Sequence, residues 1–142
     1  MAGALLTTPQ QRLDALARCK TIAVVGLQDN PQRPAYGVAR VLQARGIKIY
    51  PVHPAGGETL GEPILRHLVD LPVRVDMVDV FRNPVHLPAL LVEVLALPAE
   101  KQPWLLWFQD GVIHEETAQR AVAAGYSVVM DDCTARRSMQ LP

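Results

Sequence analysis

The side chains in this sequence that could do chemistry gather around a few strand-to-helix junctions. Gly26 closes the apolar run 21–25 and opens the loop Leu27-Gln28-Asp29-Asn30-Pro31-Gln32-Arg33-Pro34. Beyond it, Val38, Val41 and Leu42 have the one-sided spacing of a helix face. Pro34 suits the first helical position, where no N–H is required. A tight turn running into a helix start presents free N–H groups and a positive dipole end, so the chemistry it offers is anion binding, above all of phosphate. Gly26 could equally serve an ordinary strand-to-helix turn. Arg33 stands just before the helix, and Arg82 just after a second apolar run, 75–81. Each could make a charge-assisted contact to phosphate. Each could instead be a solvated cation, Arg82 pairing with Asp79 or a helix end.

The other reactive groups suggest structure before catalysis. Asp79 lies within an apolar strand, and a buried carboxylate needs hydrogen-bond partners; tying down the amides of a neighbouring loop is the simpler role. Asp76, nearer the strand start, reads as structural too. Tyr36 and Phe81 could stack on a base or pack in the core. His53 stands alone among turn residues, and His67, His86 and His114 read as surface groups. Cys133 follows the last apolar run without a basic partner in sequence. Cys19 and Cys133 are far apart and lack metal-ligand spacing, so no metal site is expected. No nucleophile and base assemble into a catalytic set.

The elements that must position these groups alternate along the chain. Strands are predicted at 21–25, 47–52, 75–81, 104–108 and 126–130. Helices are predicted from Pro9 behind a Thr8 cap to near Cys19, at 35–44, from Pro84 to before Pro98, and at 115–124. A short helix is expected around Leu65, Leu68 and Val69, and a last turn of helix in the tail. Strand–helix alternation predicts an α/β, Rossmann-like three-layer sandwich: a five-stranded parallel sheet in order 2-1-3-4-5 with helices on both faces. Ligands of such sheets lie beyond the carboxyl ends of the strands, where the strand order reverses. The segments at that edge are 26–36, 51–57, 81–84, 109–113 and 131–134.

Composition narrows the class. The 142 residues suit one domain, spanning 1–142, with a sizeable core. The apolar share is 49% and the charged share 20%, too apolar for a disordered chain. The formal net charge is zero, so no global field draws nucleic acid. No apolar run approaches the roughly 20 residues of a membrane span, and no basic region precedes the short apolar start, so neither membrane nor signal peptide is expected. Reduced thiols and a cytoplasmic location are the simplest expectation.

The nucleotide can be narrowed as well. The dinucleotide fingerprint Gly-x-Gly-x-x-Gly is missing, because Leu27 and Gln28 follow Gly26. The second strand ends in Pro51-Val52-His53-Pro54, without a carboxylate for a ribose diol. Both departures disfavour NAD, and no Gly-Lys-Ser/Thr of a P-loop occurs. A loop with Asn30, Arg33 and Tyr36, beside a second loop stiffened by proline, suits a diphosphate whose ribose already carries phosphate.

Taken together, these stretches resemble a known family. They are 22–38 with Asn30-Pro31, Arg33-Pro34 and Tyr36; Tyr50-Pro51-Val52-His53-Pro54; 75–82; Trp107 with Gln109 and Gly111; Glu115-Glu116; and Val128-Val129-Met130-Asp131. From about Leu13 to Leu141 the chain resembles the small bacterial and archaeal CoA-binding proteins, whose fold matches the CoA-binding domain of the succinyl-CoA synthetase alpha subunit. The resemblance implies coenzyme A as ligand, in the cleft above the first three predicted strands. The candidate contacts are Gly26, Leu27, Gln28, Asn30, Arg33, Tyr36, Pro51, His53, Pro54, Phe81 and Arg82. It implies no catalysis, since the synthetase's phosphorylated histidine lies in a domain this chain lacks. The chain departs from the family pattern at His53, where Asn is usual, at Asp132 before Cys133, where Arg is usual, and at Arg136 and Arg137, where the tail is often acidic.

Three functions follow as expectations: a non-catalytic or regulatory module binding CoA or an acyl-CoA, an acyl-CoA-handling enzyme, or an interaction module that has lost its ligand. Protein partners are not indicated by the sequence.

Overall fold

Side chains along the apolar runs alternate between two cores, as the period of a strand requires. The computed structural model describes residues 3–142; Met1 and Ala2, included in the expected domain span and in the signal-peptide reading, lie outside them. In chain order the elements are β1 (Ala4–Leu5), α1 (Pro9–Ala17), β2 (Thr21–Val25), α2 (Pro34–Ala44), β3 (Lys48–Val52), β4 (Glu58–Thr59), β5 (Glu62–Pro63), β6 (Met77–Val80), α3 (Leu87–Leu95), β7 (Leu105–Phe108), α4 (Glu115–Ala123), β8 (Ser127–Val129) and α5 (Thr134–Ser138). The main sheet runs β3-β2-β6-β7-β8-β1, with every pairing parallel.

The five anticipated strands take the expected order 2-1-3-4-5, and a sixth is added at the β8 edge. The expectation of five strands is thereby corrected. β1 is two residues long, too short to leave a periodic signal, and Leu6 N–H continues its ladder to the Val128 carbonyl at 2.8 Å. The expected short helix over 65–69 is also revised. Leu65 forms a parallel bridge with Val52, and only Leu68–Asp70 make a single 3₁₀ turn, with His67 at its start. The preceding segment folds as the small antiparallel hairpin β4-β5. The helix expected from Pro84 begins with a 3₁₀ turn, Pro84–His86, capped by the Asn83 side chain, before α3 proper.

Ala23, Val25, Val78, Val80, Leu106 and Phe108 face α3 and α4 in one core. Ile22, Val24, Met77, Leu105 and Trp107 share the other with residues of α1 and α2, against which α5 also packs. A fully buried aliphatic side chain of this kind contributes roughly 1.5–3 kcal/mol. Two layers of helix therefore hold the sheet rigid and leave only its ends open. At the amino-terminal end, Asp76 accepts from the amides of Lys20 and Thr21 at 2.8 and 3.2 Å and from the Trp104 indole at 3.3 Å. Burial pushes its carboxyl up, but these donors outweigh burial and hold it below the usual range. Asp76 thus pins three strands at the edge remote from the cleft described next. Among the described residues no helix is long and apolar enough to cross a membrane.

Candidate functional site

At the carboxyl ends of the strands the backbone must leave the sheet in opposite directions around β2, and the divergence opens a cleft of about 670 Å³. Its lining follows the sheet order. His53 follows β3. Gly26, Gln28, Arg33, Pro34, Ala35 and Val38 come from the loop after β2 and the start of α2. Phe81, Arg82, Asn83 and His86 follow β6, Gln109, Asp110 and Val112 follow β7, and Cys133 follows β8.

Gly26 has a structural necessity of its own. Its φ is +97°, and a Cβ there would lie 2.2 Å from the Phe81 carbonyl oxygen. The missing side chain lets the turns after β2 and β6 touch, which brings the Arg33 loop and Arg82 together across the cleft. Leu27 and Gln28 follow with amides that donate to no protein group among the described residues, while Asn30 N–H turns back to the Gln28 carbonyl at 2.8 Å. The Asn30 side chain accepts from Gln32 N–H at 3.0 Å, which shapes the loop. Pro34 begins α2, and no side chain caps that helix. The turn thus aims free N–H groups and a helix N-terminus at the cleft.

The charges are disposed to match. Among the described residues neither Arg33 nor Arg82 donates a side-chain hydrogen bond or joins an ion pair, although both line the cleft. Arg82 does not pair with Asp79, whose carboxylate is engaged by Gln109 and Thr134. His53 Nδ1 accepts from Ala55 N–H at 3.0 Å, which leaves Nε2 as its donor. Burial lowers the His53 pKa, and the neighbouring Arg82 charge lowers it further, which favours the neutral imidazole. Among the side chains that line this end of the cleft, Arg33 and Arg82 are cations and Gln28 and His53 carry N–H donors.

The candidate contacts fall into two sets. Gly26, Gln28, Arg33, His53, Phe81 and Arg82 line the cleft. Leu27 is wholly buried in the core, so only its backbone can face a ligand, and Tyr36 packs partly buried against the same core. Asn30, Pro51 and Pro54 lie outside the lining, Pro51 as a buried residue of β3. The lining also includes Asn83, His86, Gln109, Asp110, Val112 and Cys133, which are not among the candidate contacts. The segments 81–84, 109–113 and 131–134, expected at this edge, contain all of these but His86; Gln109 contributes to the family resemblance and Cys133 stands at the ligand edge, but neither is expected as a contact. His86, read as surface, is exposed and lines the cleft as well.

One wall is built by buried polar bonds. Gln109 Nε2 donates to Asp79 Oδ1 at 2.5 Å and to Thr134 Oγ1 at 2.8 Å, and Thr134 Oγ1 donates to Asp79 Oδ2 at 3.0 Å. Asp79 is fully buried, and burial pushes its carboxyl up to about 7 against the pull of these two donors. Asp131 adopts a left-handed φ of +60° and accepts from Gly111 N–H at 2.8 Å. The tail arginines are occupied here. Asp132 accepts from Arg12, Arg136 and Arg137 at 3.3, 3.0 and 2.6 Å, and Arg136 also grips Asp110 through two bonds of 2.9 Å. Among the described residues Cys133 Sγ makes no hydrogen bond to a base, and no group of three or more His, Cys, Asp or Glu side chains could hold a metal.

The chain has similar sequences and folds among known proteins. The chain is 37% identical over 120 residues to the Bacillus subtilis (strain 168) protein YneT, covering 84% of this chain and 86% of that one. Among solved structures it is similar to cell-free ID.343 from Thermus thermophilus, at 38% identity and a TM-score of 0.87, covering 96% and 100% of the two chains. A hypothetical protein from Pyrococcus horikoshii OT3 is similar at 29% identity and a TM-score of 0.86, covering 95% and 92%. With residues 20–138 matching the family described as CoA binding domain, the chain belongs to that CoA-binding family.

Proposed function

We propose that this protein binds coenzyme A, or an acyl-CoA, in the cleft at the carboxyl ends of β2, β3 and β6, as a binding or regulatory module and not as a catalyst. The observation that carries the reading is the pair Arg33 and Arg82, two cations with no protein partner among the described residues, facing one cleft beside an uncapped helix start. A pyrophosphate and a ribose phosphate place several negative charges on one ligand, and this end of the cleft offers matching donors. The binding role is favoured over an enzymatic one because Cys133 lacks a hydrogen-bonded base among the described residues and His53 spends Nδ1 on its own loop.

Calorimetric titration of CoA into the full chain tests the reading. Hydrogen bonds to charged groups are worth roughly 1.5–3 kcal/mol, so Arg33→Ala or Arg82→Ala should weaken binding about ten- to a hundredfold. Circular dichroism should remain native in both variants. Dephospho-CoA should be less sensitive to whichever arginine reads the ribose phosphate. Absence of CoA binding by the folded wild-type chain, or unchanged affinity in both variants at low salt, would overturn the proposal.

A further inference from the structure

The cleft is electrically lopsided. The cations Arg33 and Arg82 stand at its β3–β2–β6 end, and the β7–β8 end holds Asp110, the one carboxylate among the described lining residues. A carboxylate in a cleft that takes a polyanion needs an explanation. Asp110 is clamped through both oxygens by Arg136 at 2.9 Å, and Arg136 itself does not line the cleft. The pair is thus a dipole with its negative end toward the ligand. It is held in that sense because Arg136 also bonds Asp132, which is buried and further gripped by Arg12 and Arg137. Hydrogen bonding to Arg136 keeps the Asp110 carboxyl below its usual range, so it stays ionised in any neutral buffer.

Resting on CoA binding as proposed above, we infer that Asp110 is a specificity residue that makes the β7–β8 end of the cleft disfavour negative charge. With the phosphates held by Arg33 and Arg82, the rest of the cleft lining runs along the sheet edge past Gln109 and Asp110 to Cys133, where we place the acyl end of the ligand. The cleft therefore takes free CoA, or CoA carrying an uncharged acyl group, in preference to acyl groups that end in a carboxylate. Asp110 and Arg136 are both about half exposed, so the discrimination is modest and screened by salt.

The test is the ratio of affinities for butyryl-CoA and succinyl-CoA, which match in acyl length and differ in the terminal charge. In the wild-type chain at low salt, the Asp110 carboxylate, largely offset by Arg136, should favour butyryl-CoA by about twofold. Arg136→Gln bares the carboxylate and should widen the ratio. Asp110→Asn removes the carboxylate, leaves Arg136 bonded to Asp132 alone, and should bring the ratio to one or invert it. The double variant should show little preference, and high salt should flatten every ratio. Ratios that are the same in all four proteins, while CoA still binds, would overturn this inference alone. Failure of CoA itself to bind the folded wild-type chain would overturn the proposed function and this inference together.

Discussion

Replacing Asp79 by asparagine should change the pH dependence of stability more than stability itself. In the folded chain the Asp79 carboxyl is pushed up to about 7 by complete burial, although Gln109 and Thr134 both donate to it. Unfolded, it returns to the ordinary carboxylate value of about 3.9. Between those two values the folded state holds a proton that the unfolded state has released. Stability therefore falls as pH rises through that window, and it levels off above about 7. A difference of about three pKa units corresponds to about 4 kcal/mol, present at about pH 4 and lost by about pH 8. The amide introduced by Asp79→Asn cannot ionise. It keeps one acceptor oxygen and turns an NH₂ group toward Thr134, at a cost of about 1 kcal/mol. The variant should thus be slightly less stable than wild type near pH 4.5 and more stable near pH 8. Urea denaturation of both proteins across pH 4.5–8.5 measures this, and subtracting the curves removes the histidines common to both. Parallel profiles, with a constant difference, would refute the argument that burial makes the Asp79 charge costly.

Gly26→Ala should leave little folded protein, since its Cβ would sit 2.2 Å from the Phe81 carbonyl on a backbone at φ +97°; a native circular dichroism spectrum and melting temperature would contradict the close approach of the two turns. NAD should bind far more weakly than CoA, because β3 runs into His53 with no carboxylate to hold a ribose diol; titration calorimetry that finds NAD the tighter ligand would reverse the choice of nucleotide.

The one-dimensional pattern determines the strand–helix alternation here because each element carries its own period. Thr21–Val25 is apolar on both faces, as only a strand covered twice by helices can be. Thr8 and Gln11 cap α1 through side chains three residues apart, so that helix start is local too. The Gly26 turn, the Pro34 helix start and the arginine after β6 belong to the same local grammar, and each is written within a few neighbouring residues. Short elements escape it. β1 is a strand only because Val128 stands beside it, and Leu65 leaves its expected helix because Val52 offers a bridge. The β7–β8 end of the cleft is illegible for the same reason. Asp110 and Arg136 are 26 positions apart, and Arg12 and Asp132 are separated by 120. Charge pairing and burial at such separations depend on which strands lie side by side, and no local spacing encodes that. Asp79 makes the point most sharply: its place in an apolar strand predicts burial, but only the packing of α5 and the loop after β7 supplies Thr134 and Gln109 to satisfy it.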